Sequence, residues 1–319
     1  MVKFFLLIAF VFSTNFMGLP LQAHAAKRIL FVDSYHNGYA YSDGIRKGVE
    51  SILDGQDVEL KIHYMDTKRN KDEAFIKRTA IDAKGVIDAF APDIVITAAD
   101  SAANYLIRSY YKKSSLPFIF CGVKFSADEY GFPTSNITGI LEVPPSVKLV
   151  YCLKYFKRIQ KIGYLASDTE TDRKVGLYLS RDTREDIMER YVKKYSQWKT
   201  AYNQMQKEVD VLVLGNNAGI EGWDSNDAKT FALINSNIPV GCMLPWMADY
   251  AFIAVTPTPI EQGRYAAETA MEVLNGRRIS TIPIKKNEEV LIIINNKISK
   301  KLGITIPKSF KERASKIIE

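Results

Sequence analysis

From residue 27 onward, short apolar runs alternate with stretches in which apolar residues recur every three to four positions. The first unit sets the pattern. Ile29-Leu30-Phe31-Val32 is a continuous apolar run ending at Asp33, and from Ser42 onward Ile45, Val49, Ile52 and Leu53 share one helical face. A β-branched run followed by apolar residues at 3.6 spacing reads as strand, then helix. The same alternation predicts strands over 58–64, 93–97, 116–121 and 137–140, with helices over 72–90 and 102–111. Buried strands alternating with helices predict a parallel sheet covered on both faces.

Glu142-Val143-Pro144-Pro145 breaks the series. Two prolines do not fit inside a central strand, so this segment reads as a crossover. A second series then runs as helix 147–156, strand 161–166, polar loop 168–172 and helix 174–188. Strands follow near 191–198, 209–214, 238–242 and 251–255. A long helix over 260–274 ends at Asn275-Gly276, with a strand over 290–294 and a helix over 295–302 after it. The halves echo each other: Asp93-Ile94-Val95-Ile96-Thr97 has its counterpart in Asp210-Val211-Leu212-Val213-Leu214, each followed by a polar loop. The fold class predicted is α/β, with two doubly wound parallel-sheet lobes joined by a hinge and facing each other across a cleft. Ligands favour such interfaces.

Composition is that of a globular protein, 47% hydrophobic and 25% charged, and 319 residues suffice for two domains. The first 25 residues differ. Lys3, the apolar run 4–12 and Ala23-His24-Ala25 read as a cleavable secretory signal peptide over 1–25, with an uncleaved anchor as the alternative. No Cys stands near the cleavage site, and no later stretch approaches the 18 apolar residues of a membrane span. The expected location is periplasmic or otherwise extracytoplasmic. The net charge of +7 is scattered, with a modest concentration in the C-terminal tail. That pattern lacks the focused stripe of a nucleic-acid site and leaves a membrane or an acidic partner open. Cys121, Cys152 and Cys242 make no disulfide framework and read as buried free thiols. With no C-x-x-C and three histidines, one of them in the leader, neither a metal site nor a cofactor is predicted.

In open α/β sheets, ligands sit outside the carboxyl ends of the strands. The first lobe places Ser34, Tyr35, His36 and Tyr41 there, then Asp100 and Ser101, then Gly122 and Lys124. Free N–H groups at a helix start by Ser101-Ala102 favour an anion, although Asp100 and Ser101 also suit simple capping. The second lobe places Ser167, Asp168 and Thr169, then Asn216 and Asn217, then Pro245 and Trp246, and Thr256. Asn donates and accepts at once, Asp168 suits an ammonium or a turn, and Trp246 suits stacking or packing. Glu142, at the crossover, is placed either to reach the cleft or, as the favoured reading, to stand as a solvated hinge carboxylate. His36 alone does not make a catalytic site. No G-x-S-x-G elbow, Walker A loop or G-x-G-x-x-G follows a strand, so no residue is assigned a catalytic role.

Several stretches together carry a resemblance: Asn136-Ile137-Thr138-Gly139-Ile140, then Val143-Pro144, then Lys161-Ile162-Gly163; Gly263-Arg264-Tyr265-Ala266-Ala267 with Leu274-Asn275-Gly276; and NNKISKKLGITIP at 295–307, with Ser299 where Ala is usual. In this order they resemble the ABC-transporter substrate-binding protein family, which includes tryptophan- and tyrosine-binding members. The resemblance covers nearly all of the chain after the leader. It implies a periplasmic-binding-protein type I fold, with one lobe over 26–142 plus about 257–284 and the other over 143–256 plus about 285–319. It also implies a solute-binding protein, expected as a monomer, that takes a small organic ligand to an ABC permease. The aromatic loop points to an aromatic or apolar amino acid or related carboxylate. Tyr35-His36-x-Gly38-Tyr39 looks more like relatives beside or fused to membrane sensors, so a ligand-sensing partner of a membrane receptor is the alternative. An extracytoplasmic enzyme on the same frame is a third reading.

Overall fold

The computed structural model describes residues 26–319; the expected signal peptide lies outside the described residues. The chain opens with β1 (Lys27–Asp33), α1 (Ala40–Leu53), β2 (Val58–Tyr64), α2 (Glu73–Phe90) and β3 (Ile94–Ala98). One turn of helix, α3 (Ala99–Ser101), runs into a π-wound helix over Ala102–Tyr111, and β4 (Phe118–Lys124) and β5 (Ile137–Glu142) follow. The second series is α4 (Ser146–Phe156), β6 (Lys161–Ser167), α5 (Glu170–Thr183), β7 (Asp186–Val192), α6 (Tyr195–Met205), β8 (Val211–Leu214), α7 (Ser225–Asn235), β9 (Val240–Cys242) and β10 (Ile253–Pro257). Then come α8 (Pro259–Leu274), β11 (Lys285–Lys286), β12 (Val290–Asn295), α9 (Asn296–Lys301), α10 (Lys308–Arg313) and β13 (Lys316–Ile318).

These strands form two sheets, β11-β5-β4-β3-β1-β2 and β13-β12-β10-β9-β8-β6-β7. All pairings are parallel except β10 with β12. Alternation along β1 shows why both faces are covered. Leu30 and Val32 join the core beneath α2 and the π-wound helix, whereas Ile29 and Phe31 join the core beneath α1 and α8. The second sheet is sandwiched likewise, with Trp198, Tyr202 and Met205 of α6 on one side and Leu149 and Leu153 of α4 on the other. This is the doubly wound architecture expected from the pattern.

The chain passes between the sheets three times, after Glu142, after Pro257 and after Lys286. Side chains stitch the passages together: Val143 N–H donates to Asn287 Oδ1 at 2.6 Å, and Glu261 of α8 accepts from Glu288 and Glu289 N–H at 2.7 and 2.8 Å. α8 returns to the first sheet by close packing on α1. A Cβ at Gly263 would run into the Ile45 carbonyl, and one at Gly48 into the Ile260 carbonyl.

Two expected elements are corrected. The helix expected over 174–188 stops at Thr183, where Arg184 turns left-handed at φ 57°, and Asp186–Val192 is an edge strand whose charged outer face imitates a helix pattern. The strand expected near 191–198 is instead the start of α6. Tyr195, Trp198, Ala201, Tyr202 and Met205 recur at helical spacing and bury one face. Helix α7, with no counterpart in the sequence reading, is N-capped by Asp224. Cys121, Cys152 and Cys242 are buried free thiols.

Candidate functional site

The carboxyl ends of the central parallel strands turn toward one cavity between the sheets, about 100 Å³ in volume. Lys124, Phe125 and Glu142 line it from the first sheet. Tyr164, Asp172, Asn216, Met243, Leu244 and Trp246 line it from the second, and Val143, Pro144, Pro145 and Pro257 come from the passages between. One rim of the cleft is therefore charged and the opposite rim is largely apolar.

The first rim is built under backbone strain. Asp66 follows β2 at φ 56°, Ala99 follows β3 at φ 66° and Phe125 follows β4 at φ 64°.

 The three left-handed residues at this rim are thus Asp66, Ala99 and Phe125, and such conformations in non-glycine residues persist only where the surroundings impose them. Gly122, in β4, is left-handed too at φ 64°, and a Cβ there would stand 3.1 Å from the Tyr41 hydroxyl. Its N–H donates to Gln262 Oε1 of α8 at 2.8 Å.

Glu142 ends β5 and accepts a hydrogen bond from the Tyr41 hydroxyl at the start of α1. It is half-buried, which corrects the expectation of a solvated hinge carboxylate. Burial pushes its carboxyl up, opposed by the Lys124 charge and the Tyr41 hydrogen bond. Only Oε2 takes the phenol; Oε1 accepts no hydrogen bond among the described residues, and Glu142 lines the cavity. Lys124 is exposed at the same rim and forms no ion pair among the described residues. Asp100 is occupied, accepting from Tyr130 Oη at 2.9 Å and Lys124 N–H at 3.2 Å. Burial raises its carboxyl as well. Tyr35 is half-buried, edge-on to Tyr39 at 5.3 Å between ring centres, and Lys68 lies 5.2 Å over its ring. His36 bonds its neighbour's Asn37 carbonyl through Nδ1 at 2.9 Å.

Other predicted residues serve the frame. Ser34 is fully buried, donates to the Ala98 carbonyl at 2.5 Å and accepts from Ala102 N–H at 2.8 Å. The helix-start N–H expected to attract an anion at Ser101-Ala102 is thus already taken at Ala102, which corrects that reading. Ser101 accepts from Thr67 Oγ1 at 3.1 Å. In the second lobe, Ser167 and Thr169 both donate to the buried Asp172, which also accepts from Asn216 N–H at 3.1 Å. Asp168 is engaged by Arg173 at 2.6 Å and Lys193 at 3.7 Å, so its charge is already compensated. Arg173 accordingly holds its carboxyl below the usual range. Thr256 is fully buried within β10 and Asn217 stands outside the residues lining the cavity. Asn216 and Trp246 do meet at the cavity, where the indole N–H donates to Asn216 Oδ1 at 3.2 Å.

The cavity therefore unites Lys124, Asn216 and Trp246 of the predicted set with Glu142, which the crossover position already pointed toward the cleft, and with Phe125, Tyr164, Asp172, Met243 and Leu244, which the strand-end pattern does not single out. For Glu142 the signal was present: a carboxylate ending a strand next to the crossover. Phe125 reaches Tyr178 of α5 at 4.9 Å between ring centres, a contact from one lobe to the other. Among the described residues no group of His, Cys, Asp and Glu is arranged to hold a metal ion.

Residues 35–318 match the family model described as ABC transporter substrate binding protein. Comparison of the sequence with curated proteins finds no match. Among solved structures, a ligand-free, open substrate-binding protein with adhesive properties from Clostridium difficile is similar at 18% identity and a TM-score of 0.70. The alignment covers 92% of this chain and 99% of that one. An ABC domain in complex with L-Trp from Streptococcus pneumoniae aligns over the same shares at 19% identity and a TM-score of 0.60. A conserved domain protein from Vibrio cholerae does so at 16% identity and a TM-score of 0.58. These likenesses establish the shared fold, the two-lobed type I periplasmic-binding architecture.

Proposed function

This chain belongs to the ABC transporter substrate binding protein family, and from that premise we propose that it captures one small organic molecule in the interlobe cavity and hands it to an ABC permease. Its place is extracytoplasmic, in line with the family. The observation that carries the ligand reading is the pairing of opposite rims. Glu142 offers a carboxylate oxygen without a partner among the described residues, and Lys124 offers an ammonium without an ion pair among them. Facing them, Trp246, Met243 and Leu244 offer apolar surface beside the amide of Asn216. A zwitterion with an apolar or aromatic group satisfies both rims: its ammonium meets Glu142, its carboxylate meets Lys124, and its side group packs on Trp246. Binding proceeds without turnover, and closure moves the lobes about the passages near 142, 257 and 286.

A thermal-shift screen of amino acids, nucleosides, sugars and small acids tests this reading. Amino acids with apolar or aromatic side chains are expected to raise the melting temperature; a response confined to sugars sinks it. The loop Tyr35-His36-x-Gly38-Tyr39 favours a second reading, in which the occupied form docks to a membrane receptor and no uptake follows. Uptake of labelled ligand in cells with and without the protein separates the two.

A further inference from the structure

We propose that the outer face of α4, together with the C-terminal segment packed on it, docks on an anionic membrane surface. The first observation is the stripe on α4. Val147, Tyr151 and Tyr155 recur every four residues and are 55%, 75% and 60% exposed. Lys148, Lys154 and Arg158 flank them. A four-residue repeat keeps all three on one side of the helix. Exposed tyrosines with an apolar body and a polar tip suit a boundary where one end is apolar and the other wet.

The second observation is the distribution of charge. Residues 146–158 and 296–319 together hold eleven Lys and Arg and two acidic residues, a net of +9. The whole chain carries +7, so everything else sums to −2. The two segments are one structural unit: Phe310 of α10 packs on Tyr155 and Phe156 at 4.9 and 5.1 Å between ring centres. Ile298, Ile306 and Leu149 share one core. Lys157, Arg158, Lys311 and Arg313 form no ion pair among the described residues. Along the sequence the basic residues are scattered apart from a modest concentration in the C-terminal tail, and folding sets that tail against α4. Each Lys or Arg near an anionic leaflet adds to the attraction.

Charge complementarity selects the occupant. A wide, predominantly basic field surrounds several separate aromatic side chains; Lys154 is paired by Glu185 and Lys308 by Glu312, while the other Lys and Arg of the two segments form no ion pair among the described residues. Such a field matches a sheet of anionic headgroups, which presents many charges without a fixed pattern. The stripe also begins next to the lobe passages. Lys148 Nζ donates to the Glu288 carbonyl, and Val147 and Lys148 line a groove with Val290 and Ile292, just past the third passage. Docking there leaves the second lobe on the membrane and the first free to move.

The test is co-sedimentation of residues 26–319, which hold both sheets, with vesicles of equal parts phosphatidylglycerol and phosphatidylcholine, against phosphatidylcholine alone. Pelleting is expected only with the anionic vesicles and is lost at high salt. Tyr151→Ser with Tyr155→Ser, and separately Lys157→Glu with Arg158→Glu, are each expected to weaken it about tenfold or more. The control pair Lys77→Glu with Arg78→Glu, exposed on α2, makes the same charge change and is expected to leave pelleting intact. Equal loss in the control assigns the effect to net charge and overturns the proposal. Absence of pelleting overturns it too, including where polyglutamate binds the face and an acidic protein is the true partner. Unchanged melting temperatures separate loss of docking from loss of fold.

Discussion

Tyr41 and Glu142 stand 101 residues apart in sequence and meet side chain to side chain, the phenol donating to Oε2 where α1 begins and β5 ends. The contact fixes one carboxylate oxygen and leaves the other toward the cavity. That geometry, at the first passage between lobes, is what the proposed contact of Glu142 with a ligand ammonium rests on. Glu142→Gln is expected to weaken binding of the ligand found by thermal shift about ten- to a hundredfold, the loss of one hydrogen bond to a charged group. Calorimetric titration checks it. Because the replaced carboxyl is already pushed up by burial, the melting temperature is expected to hold or rise. Unchanged affinity removes Glu142 from the site.

Trp246 is 53% exposed at the opposite rim and anchored through its indole N–H to Asn216. Of the other tryptophans, Trp198 is buried in the core between α6 and α7, and Trp223 packs against it. Ligand-dependent fluorescence is thus expected to come from Trp246 and to vanish in Trp246→Phe. Trp246→Ala is expected to lower affinity by about 1 kcal/mol or more, roughly fivefold, with little change in stability. A fluorescence response that survives the Phe variant assigns the signal elsewhere.

Asp172 illustrates a carboxylate at the cavity wall that belongs to the frame. It is buried and gathers Ser167, Thr169 and the Asn216 N–H, joining the ends of β6 and β8 to α5 in the second lobe. Removing it leaves those donors buried without an acceptor. Asp172→Ala is expected to destabilise by about 3 kcal/mol in urea unfolding, with Ser167→Ala and Thr169→Ala costing about 1 kcal/mol each. Ligand affinity per folded molecule is expected to stay within twofold in the two single-hydroxyl variants. A tenfold loss there would instead make Ser167 or Thr169 a ligand group.

The same contrast explains what was legible beforehand. Strand ends can be read from apolar runs because burial on two faces forces continuous Val, Ile and Leu, as in Ile94-Val95-Ile96. Which strand-end residue faces the cavity cannot be read that way. Ser34 and Asp168 sit at equivalent ends, yet one is absorbed by Ala98 and Ala102 and the other by Arg173 and Lys193. Those partners come from other elements, so only the fold reveals that the side chains are spent. Edge strand β7 escaped because an edge buries one side and carries charge on the other. The apolar wall of Met243 and Leu244 escaped because such residues look like any core.

Gly263 and Gly48 let α8 and α1 approach until backbone meets backbone, which is how the segment after the second passage returns to the first sheet. A methyl at Gly263 meets the Ile45 carbonyl, a rigid neighbour, and cannot be accommodated by a rotamer change. Helix propensity alone favours Ala over Gly by about 1 kcal/mol. Overpacking of this kind costs about 1–3 kcal/mol and more where the backbone must shift. Gly263→Ala is therefore expected to destabilise despite its better propensity, whereas Gly85→Ala on α2, with open space around it, is expected to stabilise by up to about 1 kcal/mol. Paired urea midpoints decide. Stabilisation by both would mean that the two helices pack less closely than described.

Asp33 supplies a pH dependence with a defined sign. It is buried at the end of β1, where Oδ1 accepts from Tyr35 N–H at 2.8 Å and Ser42 Oγ at 3.0 Å, while Oδ2 is buried without a partner. Burial pushes its carboxyl up to about 6 from an ordinary 3.8. Between those values the folded chain holds a proton that the unfolded chain has lost. Stability from this group therefore rises as pH falls through about 6 and levels off below the unfolded value, and above about 6 the buried charge is a constant cost. At about 1.4 kcal/mol per unit, that cost reaches about 3 kcal/mol as an upper bound. Asp33→Asn removes the titration and keeps an acceptor for Tyr35 and Ser42. The stability difference between variant and parent is expected to shift in favour of the variant by about 2 kcal/mol on going from about pH 4.5 to about pH 7. Urea unfolding of both proteins at the two pH values measures it, and the other raised carboxylates, Asp100 and Glu142, cancel because both proteins carry them. A difference that does not change with pH would place the Asp33 carboxylate in contact with water or a cation, and would remove it from the groups that set the pH response of the fold.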